Sequence, residues 1–162
     1  MFRSFRRIGV LGACAAAAVA FAAAPAPAAA DDGAYDFTLY AKELPDAGGH
    51  MSETPKVGES ISFADDLYRT KGGEKVGRDG ATCTVVRAGD QSDTHCVGVF
   101  LLTGHPGGLI TAQTLAPISA SAQEPLLDIA VTGGTGDFKG ARGYIRSSAD
   151  GDYEKLEFYL TR

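Results

Sequence analysis

A carboxylate in an otherwise apolar row is the feature of this sequence that most directly indicates chemistry. Apolar and polar residues alternate along Glu59–Tyr68. A period of two is typical of a β-strand, and it places four residues on one face: Ile61, Phe63, Asp65 and Leu67. Burial of a carboxyl group favours its protonated form, which suits the group to proton transfer near neutral pH. If this face lines a ligand cavity, we expect Asp65 to be a catalytic acid and Phe63 to contact the ligand.

The same alternation permits a purely structural interpretation. The row of Asp65 could face outwards, or Asp65 could lie where the strand ends, because the pattern does not indicate which side of a sheet is covered. A displacement of one residue would exchange the two faces, and Asp66 would then be the inward acid. The sequence leaves open which face of this strand points inwards.

A glycine-rich turn precedes the second set of candidates. Gly133, Gly134 and Gly136 separate two apolar runs, Leu126–Val131 and a run that starts at Ala141. Glycine permits positive φ angles and close approach of backbones. The local prediction is therefore a strand, a sharp turn and a second strand.

Three polar side chains follow this turn. Asp137 comes directly after the last glycine, and Arg142 lies five positions further on. An acid there could protonate a bound intermediate, and an arginine could hold an anionic or phenolic oxygen. Tyr144 lies on the same strand face as Arg142 and is our third candidate, as a ligand contact. The alternative interpretation is that Asp137 only terminates the turn and that Arg142 is a surface residue.

The segment Ala130–Ile145 reads AVTGGTGDFKGARGYI and resembles the glycine-rich motif shared by plant dirigent proteins and allene oxide cyclases. Three further segments are similar in the same order along the chain: Gly58–Arg69, Val76–Val86 and Gly107–Gln113. The resemblance extends from Val57 to Leu160. It implies an eight-stranded antiparallel β-barrel with a central cavity, commonly trimeric.

The resemblance also implies roles for individual residues. The early strand of the family carries an Asp in dirigent proteins and a water-binding Asn in the allene oxide cyclases, and Asp65 aligns with both. Asp137 and Arg142 match positions that are implicated at the dirigent pocket. The plant cyclases also use a Glu and a Pro near the N-terminus, for which Asp36–Pro55 offers no convincing match. We therefore expect the fold of the family but doubt allene oxide cyclisation itself.

The elements that must position these residues are strands. Short segments rich in β-branched and aromatic residues alternate with clusters of Gly, Pro, Asp and Ser, which is typical of an all-β sandwich or barrel. One such cluster, Lys71–Gly80, is interpreted as a turn. The predicted strands are Tyr35–Lys42, Glu59–Tyr68, Thr82–Arg87, His95–Leu102, Leu109–Leu115, Leu126–Val131, Ala141–Ser147 and Tyr153–Thr161.

Two cysteines remain after an N-terminal export signal is removed, and we expect them to form a disulfide. Cys83 and Cys96 lie in strands on either side of a polar loop, and a hairpin that is symmetric about this loop sets them opposite each other. An even pair in an exported chain is usually a disulfide. A metal or redox pair is the less favoured alternative.

Residues 1–30 have the pattern of an export signal. Three arginines precede an alanine-rich apolar stretch, and Ala28–Ala30 forms a small-residue cleavage site. The sequence leaves the general and twin-arginine export routes open. Residues 31–162 are then predicted to be one secreted domain without a stable membrane anchor. Its 12 basic and 20 acidic residues give a net charge of −8, which disfavours nucleic acid or an anionic membrane as a partner.

No pattern in the sequence indicates a metal or another cofactor. The three histidines lie in or beside loops at no metal-ligand spacing, and the glycine-rich segments do not match nucleotide-binding loops. Two functions remain. The first is a secreted barrel that binds a small apolar or phenolic molecule and guides its cyclisation or coupling. The second is a non-catalytic module on the same barrel, for ligand binding or cell-surface interaction.

Overall fold

The computed structural model of the protein describes residues 36–45, 49–89, 91–118 and 126–161. The predicted export signal at residues 1–30 lies outside these ranges. No helix in them is long and apolar enough to cross a membrane.

Eight antiparallel strands form a closed barrel, as the sequence predicts. Each strand pairs with the next along the chain, and the last pairs with the first. This order needs only connections between neighbouring strands, and closure leaves no free sheet edge. The strands are β1 (Phe37–Glu43), β2 (Ser60–Tyr68), β3 (Lys75–Arg87), β4 (Ser92–Leu102), β5 (Gly108–Ile118), β6 (Leu127–Gly134), β7 (Arg142–Asp150) and β8 (Tyr153–Thr161).

The largest difference from the predicted elements concerns β3. This strand begins at Lys75 rather than at Thr82, and it includes residues that the sequence assigns to a turn. Gly77 pairs with Leu102 of β4, and a Cβ atom at Gly77 would lie 2.3 Å from the carbonyl oxygen of Leu101. The glycine therefore permits close approach of two strands and does not mark a turn.

One half of the lumen is filled by apolar side chains. Leu39, Leu67, Ile145 and Phe158 are each at most 1% exposed, and we call the part of the lumen that they fill the closed half. Its end is covered by Phe138, which is 2% exposed. The alternation of strand residues accounts for this filling, because every second side chain points inwards.

The predicted glycine turn forms the cover of the closed half. A short 3₁₀-helix, Gly136–Phe138, lies between β6 and β7 and carries Phe138 into the lumen. Gly136 has a φ of +61°, and a Cβ atom there would lie 2.6 Å from the carbonyl oxygen of Gly107. Both the backbone conformation and the close contact require glycine at this position.

The predicted disulfide is confirmed. Cys83 of β3 lies directly opposite Cys96 of β4, and the two sulfur atoms are bonded. The bond joins residues 13 positions apart across a single hairpin. In the chain-entropy model, closing a loop of this size stabilises a fold by roughly 3 kcal/mol.

Candidate functional site

The other half of the lumen contains a cavity of about 90 Å³. Its apolar lining includes Phe63, Phe100, Leu127, Ile129 and Leu156. Three carboxyl groups also line it, from Asp65, Asp79 and Glu154. We call this part of the lumen the open half. Apolar walls with a few convergent polar groups are typical of small-molecule sites.

Asp65 points into the lumen and is 6% exposed. The sequence left open which face of β2 points inwards. The structure shows that it is the face of Asp65, because Leu67 in the same row is completely buried in the core. Phe63, two residues before Asp65, lines the cavity. Asp66 lies on the outer face and forms an ion pair with Lys75. The geometry thus places the predicted acid, and not its neighbour, in the cavity.

Asp65 and Asp79 form a carboxyl pair. They lie directly opposite each other in β2 and β3. The backbone N–H of Asp65 donates a hydrogen bond of 3.1 Å to Oδ1 of Asp79. This contact holds the two acidic side chains side by side at the wall of the cavity.

The pKa values of both carboxyl groups of the pair are raised above the ordinary value. Burial is the main cause that raises the pKa of Asp79, and the charge of Asp65, the hydrogen bond between the two carboxyl groups and the charge of Glu154 raise it further, to about 8. Burial also raises the pKa of Asp65, while the hydrogen bond from Asp79 opposes that change. Asp79 therefore keeps its proton to a higher pH than a free carboxyl group does. Two neighbouring carboxyl groups cannot both ionise freely in a poorly hydrated site.

Glu154 is the third acid of the cavity. It lies in β8, and its Oε1 accepts a hydrogen bond from the hydroxyl group of the buried Ser147 in β7. Because the carboxylate is held by a neighbouring strand, it keeps its position beside the cavity. It lies close enough to Asp79 to raise the pKa of that group.

The cavity continues into a wider opening of about 440 Å³, which we call the mouth. Phe63, Asp65 and Glu154 line both spaces. The mouth is further lined by Glu43 at the end of β1 and by Asp152 in the turn between β7 and β8. An apolar cavity of about 150 Å³ is enough for benzene, so the smaller cavity here has room for only part of a molecule of that size.

The sequence analysis missed Asp79 and Glu154. Asp79 lies in a row with Ala81, Cys83 and Val85, so an acid in an apolar row was present there too. The signal was hidden because the segment was interpreted as a turn. Glu154 is the first residue of the inward row of β8, two residues before Leu156. Because it lies at the end of the strand, the sequence pattern did not indicate that it points inwards.

Asp137 lies at the opposite end of the barrel from the cavity. Its Oδ2 accepts a hydrogen bond of 2.9 Å from the backbone N–H of Gly107 and lies 3.1 Å from Nδ1 of His105. These contacts join the turn after β6 to the loop before β5. The structure therefore does not bring Asp137 together with Asp65, because the glycine turn covers the closed half.

Arg142 and Tyr144 also lie away from the cavity. Arg142 is exposed and donates a hydrogen bond to the carbonyl oxygen of Ala141. The ring of Tyr144 stacks on that of Tyr159 at 4.6 Å on the outer wall, with the guanidinium of Arg146 5.5 Å from the Tyr144 ring. The two predicted ligand contacts therefore do not line the cavity, because the inward residues of β7 are those of the other parity, such as Ile145 and Ser147.

Comparison with known proteins agrees with this architecture. Residues 32–156 match the family model for the allene oxide cyclase barrel like domain, and the chain belongs to this family. A solved structure described as a pyocyanin demethylase is 32% identical, with a TM-score of 0.62. The match covers 77% of this chain and 98% of the other. No curated protein matches the chain. The family and this neighbour thus agree with the closed barrel of the described residues.

The described part of the chain contains no group of three or more His, Cys, Asp and Glu side chains arranged to hold a metal ion. The chemistry that we derive below uses the carboxyl groups of the open half.

Proposed function

We propose that this barrel binds a small, mostly apolar molecule in its open half and rearranges it by proton transfer, in an isomerase-like cyclisation or coupling. The observation that carries the proposal is the Asp65–Asp79 pair at the wall of an apolar cavity. A carboxyl group with a pKa of about 8 keeps its proton at neutral pH, and its partner is available as a base. General acid and general base are thus present on adjacent strands.

The reaction would use the two carboxyl groups in succession. Asp65 accepts a proton from the ligand, and Asp79 donates one to another atom of the same ligand. The aromatic and aliphatic walls hold the ligand in one conformer, so that the reacting atoms stay close together. Proton transfer of this kind contributes roughly 10²–10⁴-fold to a rate.

The test begins with the ligand. Native mass spectrometry of protein purified from culture medium identifies what the barrel holds, and turnover is then measured with that compound. Asp65→Asn and Asp79→Asn are each expected to lower kcat by at least about 100-fold while the fold is retained. Asp128→Asn, which changes an exposed acid on the outer face of β6, is the matched control. Unchanged turnover in Asp65→Asn would refute the catalytic proposal.

A second candidate activity comes from the solved neighbour. That protein is described as a pyocyanin demethylase and is 32% identical over nearly its whole length. Pyocyanin is therefore the first compound to try as a ligand and substrate of this barrel. Incubation with pyocyanin followed by mass spectrometry would reveal a product that lacks the methyl group, and Asp79→Asn should abolish its formation.

A non-catalytic role is the alternative to both reactions. A barrel that only binds its ligand, or that acts at a cell surface, would carry the same cavity without turnover. Recovery of a bound and chemically unchanged molecule after prolonged incubation favours this alternative. Formation of a rearranged product that depends on Asp65 excludes it.

We further propose that the protein is exported and forms a homotrimer. The pattern of residues 1–30 supports export, and the disulfide suits an oxidising compartment.

The support for the homotrimer is an apolar patch on the outer face of β4 and β5. Val97, Val99 and Leu115 are 46%, 42% and 62% exposed there, and exposed apolar patches often mark interaction surfaces. Light scattering tests the trimer: Val99→Lys should yield monomers, whereas Val57→Lys, outside this patch, should not.

A further inference from the structure

The charges that face the ligand space all have the same sign. Five carboxyl groups line the cavity and the mouth: Glu43, Asp65, Asp79, Asp152 and Glu154. Among the residues that the structure describes, no Lys, Arg or His side chain lines either space. The acidic lining is therefore a property of the binding space itself and not only of the net charge of the chain.

The parity of the strands explains this separation. Lys155 follows Glu154 in β8, so the two side chains point to opposite sides of the wall. On the outer side, Nζ of Lys155 lies 2.6 Å from Oε1 of Glu157. Lys71 and Lys75 are paired with Asp150 and Asp66 in the same way. These three lysines are thus engaged with outer carboxylates.

The inner carboxyl groups repel one another. The charges of Glu43 and Asp66 disfavour ionisation of Asp65, and those of Asp65 and Glu154 disfavour ionisation of Asp79. Such interactions are strong here because the apolar walls lower the local dielectric response. An anionic ligand would add to this repulsion, whereas a cationic ligand would relieve it.

We infer that the ligand of the open half is a cation with an apolar body, such as a molecule with a quaternary or protonated ring nitrogen. This inference rests on the proposed binding of a small molecule in the cavity and specifies its chemical class. The apolar body lies against Phe100, Ile129 and Leu156, and the charge lies where the cavity meets the mouth. Phe63 lines that junction, and aromatic rings attract cations.

Anionic compounds are excluded as ligands of the open half. Carboxylates, phosphate esters and phenolates would bring a negative charge to a space that contains five carboxyl groups and no basic side chain among the described residues. A phenol would enter only in its neutral form. The predicted class is therefore narrower than the apolar or phenolic molecule that the sequence suggests.

Two probes of nearly the same shape test the inference. N-Methylisoquinolinium carries a permanent positive charge, and isoquinoline is neutral at about pH 9, where carboxyl groups are ionised. Each is titrated into the intact protein by calorimetry, and NMR locates binding through the backbone amides of Phe63 and Phe100. We expect the cation to bind at least about tenfold more tightly, which corresponds to about 1.4 kcal/mol.

Two substitutions in β8 supply a matched comparison. Glu154→Gln and Glu157→Gln each remove one negative charge, but only Glu154 lines the cavity. The preference for the cation should fall several-fold in Glu154→Gln and should remain unchanged in Glu157→Gln. Thermal unfolding of both variants checks that each is folded. An equal loss in the two variants would mean that only overall charge matters and would overturn the inference.

The outcomes separate this inference from the proposed function. Equal or tighter binding of neutral isoquinoline at the same amides would overturn the cation preference and leave the binding cavity intact. Binding of neither probe would overturn both. Tighter binding of the cation, with NMR changes confined to the open half and lost in Glu154→Gln, supports both.

Discussion

The closed half and the open half of the lumen are built by the same alternating strands but are filled differently. In the closed half, Leu39, Leu67 and Phe158 pack together at most 1% exposed, under the cover of Phe138. In the open half, the same inward rows end in Asp65, Asp79 and Glu154 around a cavity. One half therefore provides the stability that allows the other half to remain hollow and acidic.

This division predicts that the largest loss of stability follows from truncation in the closed half. Phe158 is fully buried and contacts both Phe37 and Phe100 at ring-centroid distances of 4.5 and 5.5 Å. Phe158→Ala should lower the free energy of unfolding by about 3–5 kcal/mol. Phe63→Ala should lower the free energy of unfolding by clearly less, because part of the Phe63 side chain already faces the empty cavity. Urea unfolding of both variants checks the difference, and equal losses would contradict the division.

The disulfide should contribute to stability mainly in the open half, which has the thinner apolar core. Cys96 lines the cavity, and Cys83 lies opposite it. Replacement of both by Ala should lower the free energy of unfolding by roughly 3 kcal/mol. Hydrogen exchange should increase most in β3 and β4 around the cavity. Uniform acceleration over the whole barrel would indicate that the bond stabilises both halves equally.

The raised pKa of Asp79 in the open half predicts an unusual dependence of stability on pH. The pKa of Asp79 is raised from 3.8 to about 8 in the folded protein, so the folded state binds one more proton than the unfolded state between these values. Stability contributed by this group should therefore decrease as the pH rises from 3.8 towards 8.

Asp79→Asn removes this proton uptake. It should flatten the decrease and stabilise the protein at alkaline pH by on the order of 2 kcal/mol. Thermal unfolding across the pH range checks the prediction, with Asp93→Asn in β4 as a control at an acid that is paired with Arg87 on the outer side. A wild-type stability that rises over the same range would contradict the assigned direction.

The smallest effect is expected for the acid at the cover of the closed half. Asp137→Ala removes the hydrogen bond to the backbone of Gly107 and the contact with His105. A loss of about 1 kcal/mol in the free energy of unfolding is expected, because the group is partly exposed. Ligand binding and turnover should be unchanged. A loss of turnover without a loss of stability would restore Asp137 to a catalytic role.

The class of fold was accessible from the sequence because it depends on local signals. Segments rich in β-branched and aromatic residues, separated by clusters of turn residues, indicated all eight strands, and the glycine-rich motif indicated the family. Hairpin symmetry placed Cys83 opposite Cys96, as observed. These inferences succeed since the period of two and the chemistry of turns act over a few residues.

The candidate site was only partly accessible. Asp65 was found because it lies in an apolar row and aligns with a functional position of the family, although the sequence left open which face of the strand points inwards. Asp79 was missed because Gly77 and Gly80 near it resemble a turn, although both lie within β3 and Gly77 permits close strand packing. Asp137 was assigned to the pocket on family resemblance, yet its position along the barrel axis is set by pairing with distant segments.

By itself, the sequence determined which side chains alternate, where the chain turns and that an acid shares a row with apolar residues. Only the tertiary structure decided which acids meet, because strand register brings Asp65 beside Asp79 and closure of the barrel brings Glu154 to both. Local patterns fix the direction of a side chain relative to its own strand. The partners across a closed sheet depend on contacts between residues that are far apart in the chain.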